Sequence, residues 1–199
     1  MYKVFKNIGE EDADVYEQTS MRENTYKKIL NELLRINPGL EKEKIVFGDI
    51  GCGISKVPSL IPETWVYKGT SIRKQEINAS QVIYYHNLAT DATLIDEFDI
   101  SVCVHTLPYI SDQFGAMVNL MNMTKKNGYV AIVYHFKPEG TLDYSQYFYF
   151  LSHFGMTQII KMCGGTIVLD EELPIDGHLL IIKKDKEFDE RVKVALNAN

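Results

Sequence analysis

Short apolar runs alternate with amphipathic segments along this chain of 199 residues. Apolar runs of about four to eight residues are typical of buried strands, whereas apolar residues three and four apart are typical of helices. The runs predict seven strands, over residues 44–50, 65–70, 81–85, 98–105, 129–136, 166–169 and 178–183. The amphipathic segments predict helices over residues 12–36, 54–61, 73–80, 113–123 and within 144–162.

The order of these elements predicts the fold class. Strands that alternate with helices favour a parallel sheet with helices on both of its faces. The last two predicted strands are separated by only about eight residues, a connection that suits an antiparallel pair. We therefore expect an α/β, Rossmann-like protein: a seven-stranded, mainly parallel sheet with one antiparallel strand near the C-terminus.

The length of the chain is typical of one domain. We expect a sheet core over residues 44–184, which a helical region precedes over residues 1–43 and a charged tail follows over residues 185–199. The sequence contains no repeat, low-complexity tract or linker that would divide it.

Composition and charge disfavour nucleic acid and membrane as partners of this chain. The net charge of −6 argues against a general nucleic-acid binder, whose surface would be basic. No apolar run reaches the ~18–20 residues of a membrane span, and residues 1–8 lack the apolar stretch of a secretory signal. We therefore expect a cytoplasmic protein without a membrane partner, with nucleic acid disfavoured as a ligand.

Cysteines and histidines give no sign of a metal site. The three cysteines, Cys52, Cys103 and Cys163, are odd in number, far apart and without a C-x-x-C pair. They are interpreted as reduced core thiols of a cytosolic protein rather than as disulfides or metal ligands. The five histidines show no pair at metal-ligand spacing, so we expect no zinc site.

The segment over residues 45–53 carries the clearest functional pattern. An apolar run ends in Asp49-Ile-Gly-Cys-Gly53, as when a buried parallel strand turns into a glycine loop beside a nucleotide-like ligand. The dinucleotide pattern G-x-G-x-x-G is incomplete, because its third glycine would fall at Lys56. An acidic residue near position 71 is also missing, so a nicotinamide-dependent oxidoreductase is disfavoured.

Three segments in this order resemble the class I S-adenosylmethionine-dependent methyltransferases, over about residues 12–184. Phe47-Gly-Asp-Ile-Gly-Cys-Gly53 resembles the first motif of the family. Residues 98–112 are similar to its fourth strand and following loop, and residues 117–133 to the helix, lysine-glycine turn and fifth strand that come next. The resemblance implies S-adenosylmethionine as the cofactor and a reversed seventh strand.

The resemblance assigns the first cofactor contacts to the loop after the first strand. Gly51, Cys52 and Gly53 would lie against the amino-acid part of the cofactor, since glycine has no side chain to block its approach. The N-terminus of the following helix offers N–H groups to a carboxylate. Asp49 would hold the ammonium group of the cofactor, directly or through water.

Two positions depart from the pattern of the family. Its second strand usually ends in an acidic residue that binds both ribose hydroxyls, and Ser71 stands there in this chain. Loss of a charged acceptor costs about 1–3 kcal/mol, or one to two decades in affinity. After the third strand, where the family often has an acidic residue near the adenine, the sequence offers Asn87 or, in a shifted register, Asp91.

Two histidines and the N-terminal helix supply the remaining candidates. His105, after the fourth strand, would lie under the methionine end of the cofactor, unless it packs in the core against a backbone carbonyl. His135 ends the fifth strand and suits a general base, unless it is a surface residue. Tyr16 and Arg22 would contact the cofactor if the N-terminal helix folds over it as a lid; the alternative is an ordinary packing helix.

Aromatic residues are concentrated between the fifth and sixth predicted strands, where the family often builds its substrate wall. They would line an apolar or planar pocket, form a homodimer contact or pack in the core. The members are Tyr144, Tyr147, Phe148, Tyr149, Phe150 and Phe154.

The favoured hypothesis is methyl transfer from S-adenosylmethionine to a small-molecule acceptor. His105 and His135 are its candidate catalytic residues. One alternative is a protein that keeps the methyltransferase fold but serves as a binding or regulatory partner, since Ser71 replaces the usual acid. A nucleic-acid methyltransferase is a further alternative, against which the acidic composition and the absence of an Asn-Pro-Pro-Tyr-like motif count.

Overall fold

The computed structural model describes residues 20–52, 57–71, 82–85, 87–88, 91–110, 112–134, 152–173, 177–186 and 188. The helices within them are α1 (Ser20–Ile36), α2 (Gln113–Met123) and α3 (His153–Met162), with 3-10 helices at Pro38–Lys42, Val57–Ser59 and Leu107–Tyr109. The strands are β1 (Val46–Ile50), β2 (Val66–Ser71), β3 (Val82–Tyr85), β4 (Phe98–Val104), β5 (Thr124–Tyr134), β6 (Gly165–Leu173) and β7 (Gly177–Lys184).

The strands form one sheet in the order β3-β2-β1-β4-β5-β7-β6. All pairings among β1 to β5 are parallel, whereas β7 runs antiparallel to both β5 and β6, as the short connection before β7 predicts. The α/β class is therefore confirmed. We call the edge at which β1 to β5 end the carboxyl edge. The chain moves outward from β1 to β3 and then returns to the other side of β1, so the strand order reverses between β1 and β4. In open α/β sheets, ligands bind at such a reversal.

Alternate residues of the central strands enter two separate cores, one on each face of the sheet. On β5, Val130 and Ile132 contribute to the core with α2 and α3. Ala131 and Val133 contribute to the core with α1. Because strand side chains alternate between faces, this pattern fixes the register of β5 and places helices on both faces.

Helix α1 follows the amphipathic pattern of its sequence. It ends at Ile36, before Asn37-Pro38-Gly39, as the sequence predicts. Its fully or nearly fully buried side chains recur every three or four residues, at Tyr26, Ile29, Leu30 and Leu33. Neither α1 nor another helix in the described ranges is both long and apolar enough to span a membrane.

The predicted helix over residues 54–61 and the predicted start of the fifth strand are wrong. In the described part of 54–61, only the 3-10 helix Val57–Ser59 forms. β5 begins at Thr124 instead of residue 129, because the lysine-glycine segment joins the strand in an irregular form. Asn127 there adopts a φ of +66°, and the pairing of β5 with β4 shifts register between Phe98 and Ile100.

The sixth strand is longer than predicted. It continues from Leu169 to Leu173 through three acidic residues, Asp170, Glu171 and Glu172. These charges lower the apparent strand propensity of the sequence, but β6 lies at the edge of the sheet, where charged side chains reach solvent.

Candidate functional site

A tight turn follows β1 at the reversal of the strand order. Gly51 adopts a φ of +73°, a left-handed conformation that favours glycine. The backbone N–H groups of Gly51 and Cys52 both donate to the carbonyl oxygen of Thr70, each at 2.9 Å. The turn is therefore fixed to the end of β2 as well as to β1.

The loop after β4 packs directly on this turn. A Cβ atom at Gly51 would lie 2.2 Å from Thr106 Oγ1, so no larger side chain fits there. The Thr106 hydroxyl donates to the carbonyl oxygen of Ile50 at 3.3 Å. Glycine at position 51 thus lets the loop after β4 pack directly on the turn at the carboxyl edge, next to the reversal of the strand order where ligands bind in open α/β sheets.

Asp49, the next-to-last residue of β1, is fully buried. Tyr26 of α1 donates a hydrogen bond to its Oδ1 at 2.6 Å, and Tyr67 of β2 donates to its Oδ2 at 3.0 Å. Phe47 stacks on the ring of Tyr67, with centroids 6.5 Å apart. The carboxyl group is therefore held by hydroxyl groups from two elements on the α1 face of the sheet.

His105 follows β4 and has an uncommon backbone conformation. Its φ is +54°, and such a conformation in a residue other than glycine costs about 1–3 kcal/mol and is found preferentially at functional sites. Its backbone N–H donates to the carbonyl oxygen of Val133 at 3.1 Å, which fixes the residue to the end of β5. The residue is half-buried at the carboxyl edge.

Buried hydrogen bonds connect the loop after β4 to β5 and to the start of α2. The Tyr134 hydroxyl of β5 donates to Gln113 Oε1 at 3.0 Å, and Gln113 Nε2 donates to the carbonyl oxygen of Leu107 at 3.1 Å. Asp112 caps α2 by accepting from the backbone N–H of Gly115 at 2.8 Å. The start of α2 and the 3-10 helix Leu107–Tyr109 are therefore held in one arrangement.

Two polar, uncharged residues stand at the ends of β2 and β3, where acidic residues are expected. Ser71 is the last residue of β2, is 7% exposed and lies in register with Tyr85 of β3. Asn87 follows β3 and is half-buried. The other candidate, Asp91, accepts from the N–H and hydroxyl of Thr93 at 3.0 and 2.6 Å in a local turn. This local use of Asp91 favours Asn87 at the third strand.

The three cysteines of the described residues are buried thiols. Burial raises the pKa of the Cys103 thiol to about 12, so the thiolate that would act as a nucleophile is scarce at neutral pH. Cys52 and Cys163 are buried as well, and burial likewise raises the pKa of Cys163 to about 12. Within the described ranges, no group of three or more His, Cys, Asp and Glu side chains is arranged to hold a metal ion.

The structure brings most of the predicted site residues to the carboxyl edge of β1 to β4. These are Asp49, Gly51, Cys52, Ser71, Asn87 and His105. Gly53, Tyr16 and His135 lie outside the described residues, as does the side chain of Arg22, whose backbone belongs to α1. Of the aromatic cluster only Phe154 is described, and it is 72% exposed on α3.

Several residues that shape the site carry no pattern in the sequence. Tyr26 and Tyr67 read as ordinary apolar positions of a helix and a strand, and Thr106 and Gln113 as loop and helix-start residues. The bond of Tyr67 to Asp49 joins positions 18 residues apart, and the bond of Thr106 to Ile50 joins positions 56 residues apart. A polar tip on an otherwise buried tyrosine is the one signal that points to a hidden partner.

Comparisons with known proteins identify the fold. No family model and no curated protein matches the chain. An amino pentose methyltransferase from Micromonospora echinaspora with bound S-adenosylmethionine has a TM-score of 0.68 and 11% identity, over 87% of this chain and 95% of that one. The 1,6-didemethyltoxoflavin-N1-methyltransferase of Burkholderia thailandensis has a TM-score of 0.64 and 13% identity, over 89% and 83%.

A third similar structure is the magnesium protoporphyrin IX methyltransferase of Synechocystis PCC 6803 with bound S-adenosylhomocysteine. Its TM-score is 0.62 and its identity 15%, over 90% of this chain and 88% of that one. The predicted resemblance to class I S-adenosylmethionine-dependent methyltransferases is therefore confirmed for the fold.

Proposed function

We propose that the protein binds S-adenosylmethionine at the carboxyl edge and directs its methyl group to a small-molecule acceptor. The glycine turn carries this proposal. Gly51 has a positive φ, lacks room for a Cβ atom and lies at the reversal of the strand order, between β1 and β4. The three similar structures, whose names describe methyltransferases, support the same choice of ligand.

The residues of the edge fit an adenosyl ligand in part. The turn offers bare backbone to the amino-acid end, the Ser71 hydroxyl offers one hydrogen bond to the ribose, and the Asn87 side-chain carbonyl offers an acceptor to an adenine amine. S-adenosylmethionine supplies an electrophilic methyl group on a sulfonium. The residues of the chain then have to orient an acceptor in line with it, which is where most of the rate enhancement of such a transfer arises.

His105 is the proposed contact on the acceptor side of this edge. Its left-handed backbone and its bond to Val133 fix the residue at the end of β4, next to the turn that holds the cofactor. An imidazole there can accept a proton from a hydroxyl or amine acceptor. The acidic composition, with a net charge of −6, favours a small molecule over nucleic acid as the acceptor.

Isothermal titration calorimetry with S-adenosylhomocysteine tests the cofactor. We expect saturable one-to-one binding in the micromolar range, weakened by about one to two decades relative to a site with a carboxylate at the ribose. No heat of binding at millimolar ligand, with the protein shown to be folded by circular dichroism, contradicts the proposal.

A second candidate function is a non-catalytic partner that keeps the fold, and Ser71 is the observation that favours it. Replacement of Ser71 with Asp restores the charged ribose acceptor at a position that is 7% exposed. If the affinity for S-adenosylhomocysteine rises from undetectable to micromolar, the natural chain has lost its cofactor. If the wild type already binds at micromolar concentration, the partner hypothesis fails.

Ser152→Asp is the matched control for Ser71→Asp. Ser152 caps α3 by accepting from the backbone N–H of Gly155, a role that aspartate also fills, and it lies outside the carboxyl ends of β1 to β4. The control adds the same charge to the protein, so any affinity change that both variants share reflects net charge rather than the ribose contact.

A further inference from the structure

The carboxyl group of Asp49 joins three elements that are distant in sequence. Its Oδ1 accepts from Tyr26 of α1 at 2.6 Å and its Oδ2 from Tyr67 of β2 at 3.0 Å, while the residue itself belongs to β1. All three residues are at least 94% buried. Hydrogen bonds that are shielded from water in this way are stronger than exposed ones, and loss of one donor leaves a buried acceptor undersatisfied.

The same carboxyl group lies at the base of the glycine turn. Asp49 lies two residues before Gly51, and the N–H groups of Gly51 and Cys52 are bonded to Thr70, three residues beyond Tyr67 on the same strand. A shift of the Asp49 backbone therefore displaces the turn relative to the end of β2. Because Thr106 packs against Gly51 without spare room, the turn cannot absorb such a shift by itself.

Helix α1 reaches this point by a short polar contact in addition to its apolar face. An ion pair of α1 with the sheet, Lys28 with Glu171 of β6 at 3.0 Å, joins side chains that are 37% and 39% exposed. Water and salt screen such a pair, so it adds little to the docking of the helix. The bond from Tyr26 is by contrast shielded from water, and it depends on accurate placement of α1.

We propose that Tyr26 is a positioning residue for the cofactor site: through Asp49 it couples the docking of α1 to the geometry of the glycine turn, so that ligand binding and helix docking stabilise each other. This inference rests on the proposed function. Coupling of two sites is reciprocal. A ligand held by the turn therefore stabilises the docking of α1, and loss of that docking lowers the affinity for the ligand by the same factor.

The wild-type protein provides the first measurement. Hydrogen–deuterium exchange is followed in residues 29–36 of α1 with and without S-adenosylhomocysteine. These amides lie about one to three turns beyond Tyr26 along the helix, so a ligand at the turn reaches them only through the packing of α1. We expect a slowing of about threefold or more. Unchanged exchange at saturating ligand contradicts the coupling.

The variant Tyr26→Phe removes the hydroxyl and keeps the buried ring. Without ligand, we expect faster exchange in α1 and at residues 46–52 together, and in calorimetry a loss of S-adenosylhomocysteine affinity of about fivefold to twentyfold. Tyr67→Phe is the matched control, since it removes the hydroxyl that donates to the same carboxyl group from within the sheet. It should loosen residues 46–52 and leave exchange in α1 close to that of the wild type.

A double-mutant cycle with Asp49→Asn asks whether Tyr26 acts through Asp49. We expect Tyr26→Phe to change affinity by less than twofold in the Asp49→Asn background. An equal loss in both backgrounds, or faster exchange in α1 with residues 46–52 unchanged, overturns the proposal. No binding by the wild type refutes the proposed function and this inference together, whereas binding that Tyr26→Phe leaves intact refutes the inference alone.

Discussion

Two aspartates in this protein each receive aromatic side chains from two other elements, yet they lie in opposite environments. Asp49, the next-to-last residue of the central strand β1, has no exposed surface and accepts from Tyr26 and Tyr67. Asp170 lies on the edge strand β6 and contacts His153 Nε2 at 2.5 Å and His178 Nδ1 at 3.4 Å. Their side chains are about one third to one half exposed, at 33%, 46% and 30% for Asp170, His153 and His178.

The difference shows that contact geometry alone does not measure importance. At Asp170, water can replace either histidine, so the cluster ties the start of α3 to the edge of the sheet at a small gain. At Asp49, the carboxyl group is shielded from water, so water does not replace a hydroxyl that is lost. We therefore expect the central region to have little tolerance for substitution and the edge region to have much.

Replacement of Gly51 with Ala should have the largest effect. The new Cβ atom would overlap Thr106 Oγ1, and alanine would have to hold a φ of +73°. Overpacking and left-handed strain together should lower the free energy of unfolding by about 2–4 kcal/mol. Urea denaturation measures that loss, and calorimetry should show no binding of S-adenosylhomocysteine.

Gly39→Ala is the control for this substitution. The nearest atoms to its new Cβ would be the side-chain oxygens of Asn37 and Glu43, at 3.2 and 3.3 Å, which is a much looser contact than the 2.2 Å approach at Gly51. Its cost should stay below about 1 kcal/mol. If both glycine variants lose the same stability, the tightness assigned to the turn after β1 is wrong.

Replacement of Asp49 with Asn should have the next largest effect. The amide keeps one carbonyl oxygen but presents N–H groups where the second oxygen stood, so either Tyr26 or Tyr67 loses its acceptor. We expect the free energy of unfolding to fall by about 2–3 kcal/mol, because one buried tyrosine hydroxyl loses the carboxylate acceptor of its proton. A loss below about 0.5 kcal/mol in urea denaturation would mean that Asp49 is no more constrained than a surface carboxyl group.

The same contrast explains which parts of the molecule the sequence predicts. The helix over Gln113–Met123, the end of α1 at Ile36 and the glycine turn are all predicted, because each depends on spacing or on residues that are adjacent in the chain. The bonds of Asp49 to Tyr26 and Tyr67 span 23 and 18 residues, and a local pattern carries no sign of them. Sequence patterns therefore locate the glycine turn but miss the long-range hydrogen bonds that hold Asp49 beside it.

The errors in strand length have a related cause. The acidic run in β6 and the lysine-glycine segment in β5 are unfavourable to strands when judged alone. In the fold, pairing with β7 extends β6 to Leu173, and pairing with β4 brings Thr124 opposite Phe98. Neighbouring strands thus supply backbone partners that outweigh local propensity, and these partners become known only with the topology.

Replacement of Asp170 with Asn should have the smallest effect, and it completes the comparison with Asp49→Asn. The chemical change is the same, and both aspartates contact two ring-bearing side chains. At the edge of the sheet, however, solvent hydrates His153 and His178 when the carboxyl group is lost. We expect the free energy of unfolding to fall by at most about 0.5–1 kcal/mol, and by less in molar salt, because ions screen exposed pairs. Urea denaturation at two salt concentrations measures both effects. A loss equal to that of Asp49→Asn would show that burial does not set the difference between the two carboxyl groups, and would give the His153–Asp170–His178 cluster a structural weight that its exposure argues against.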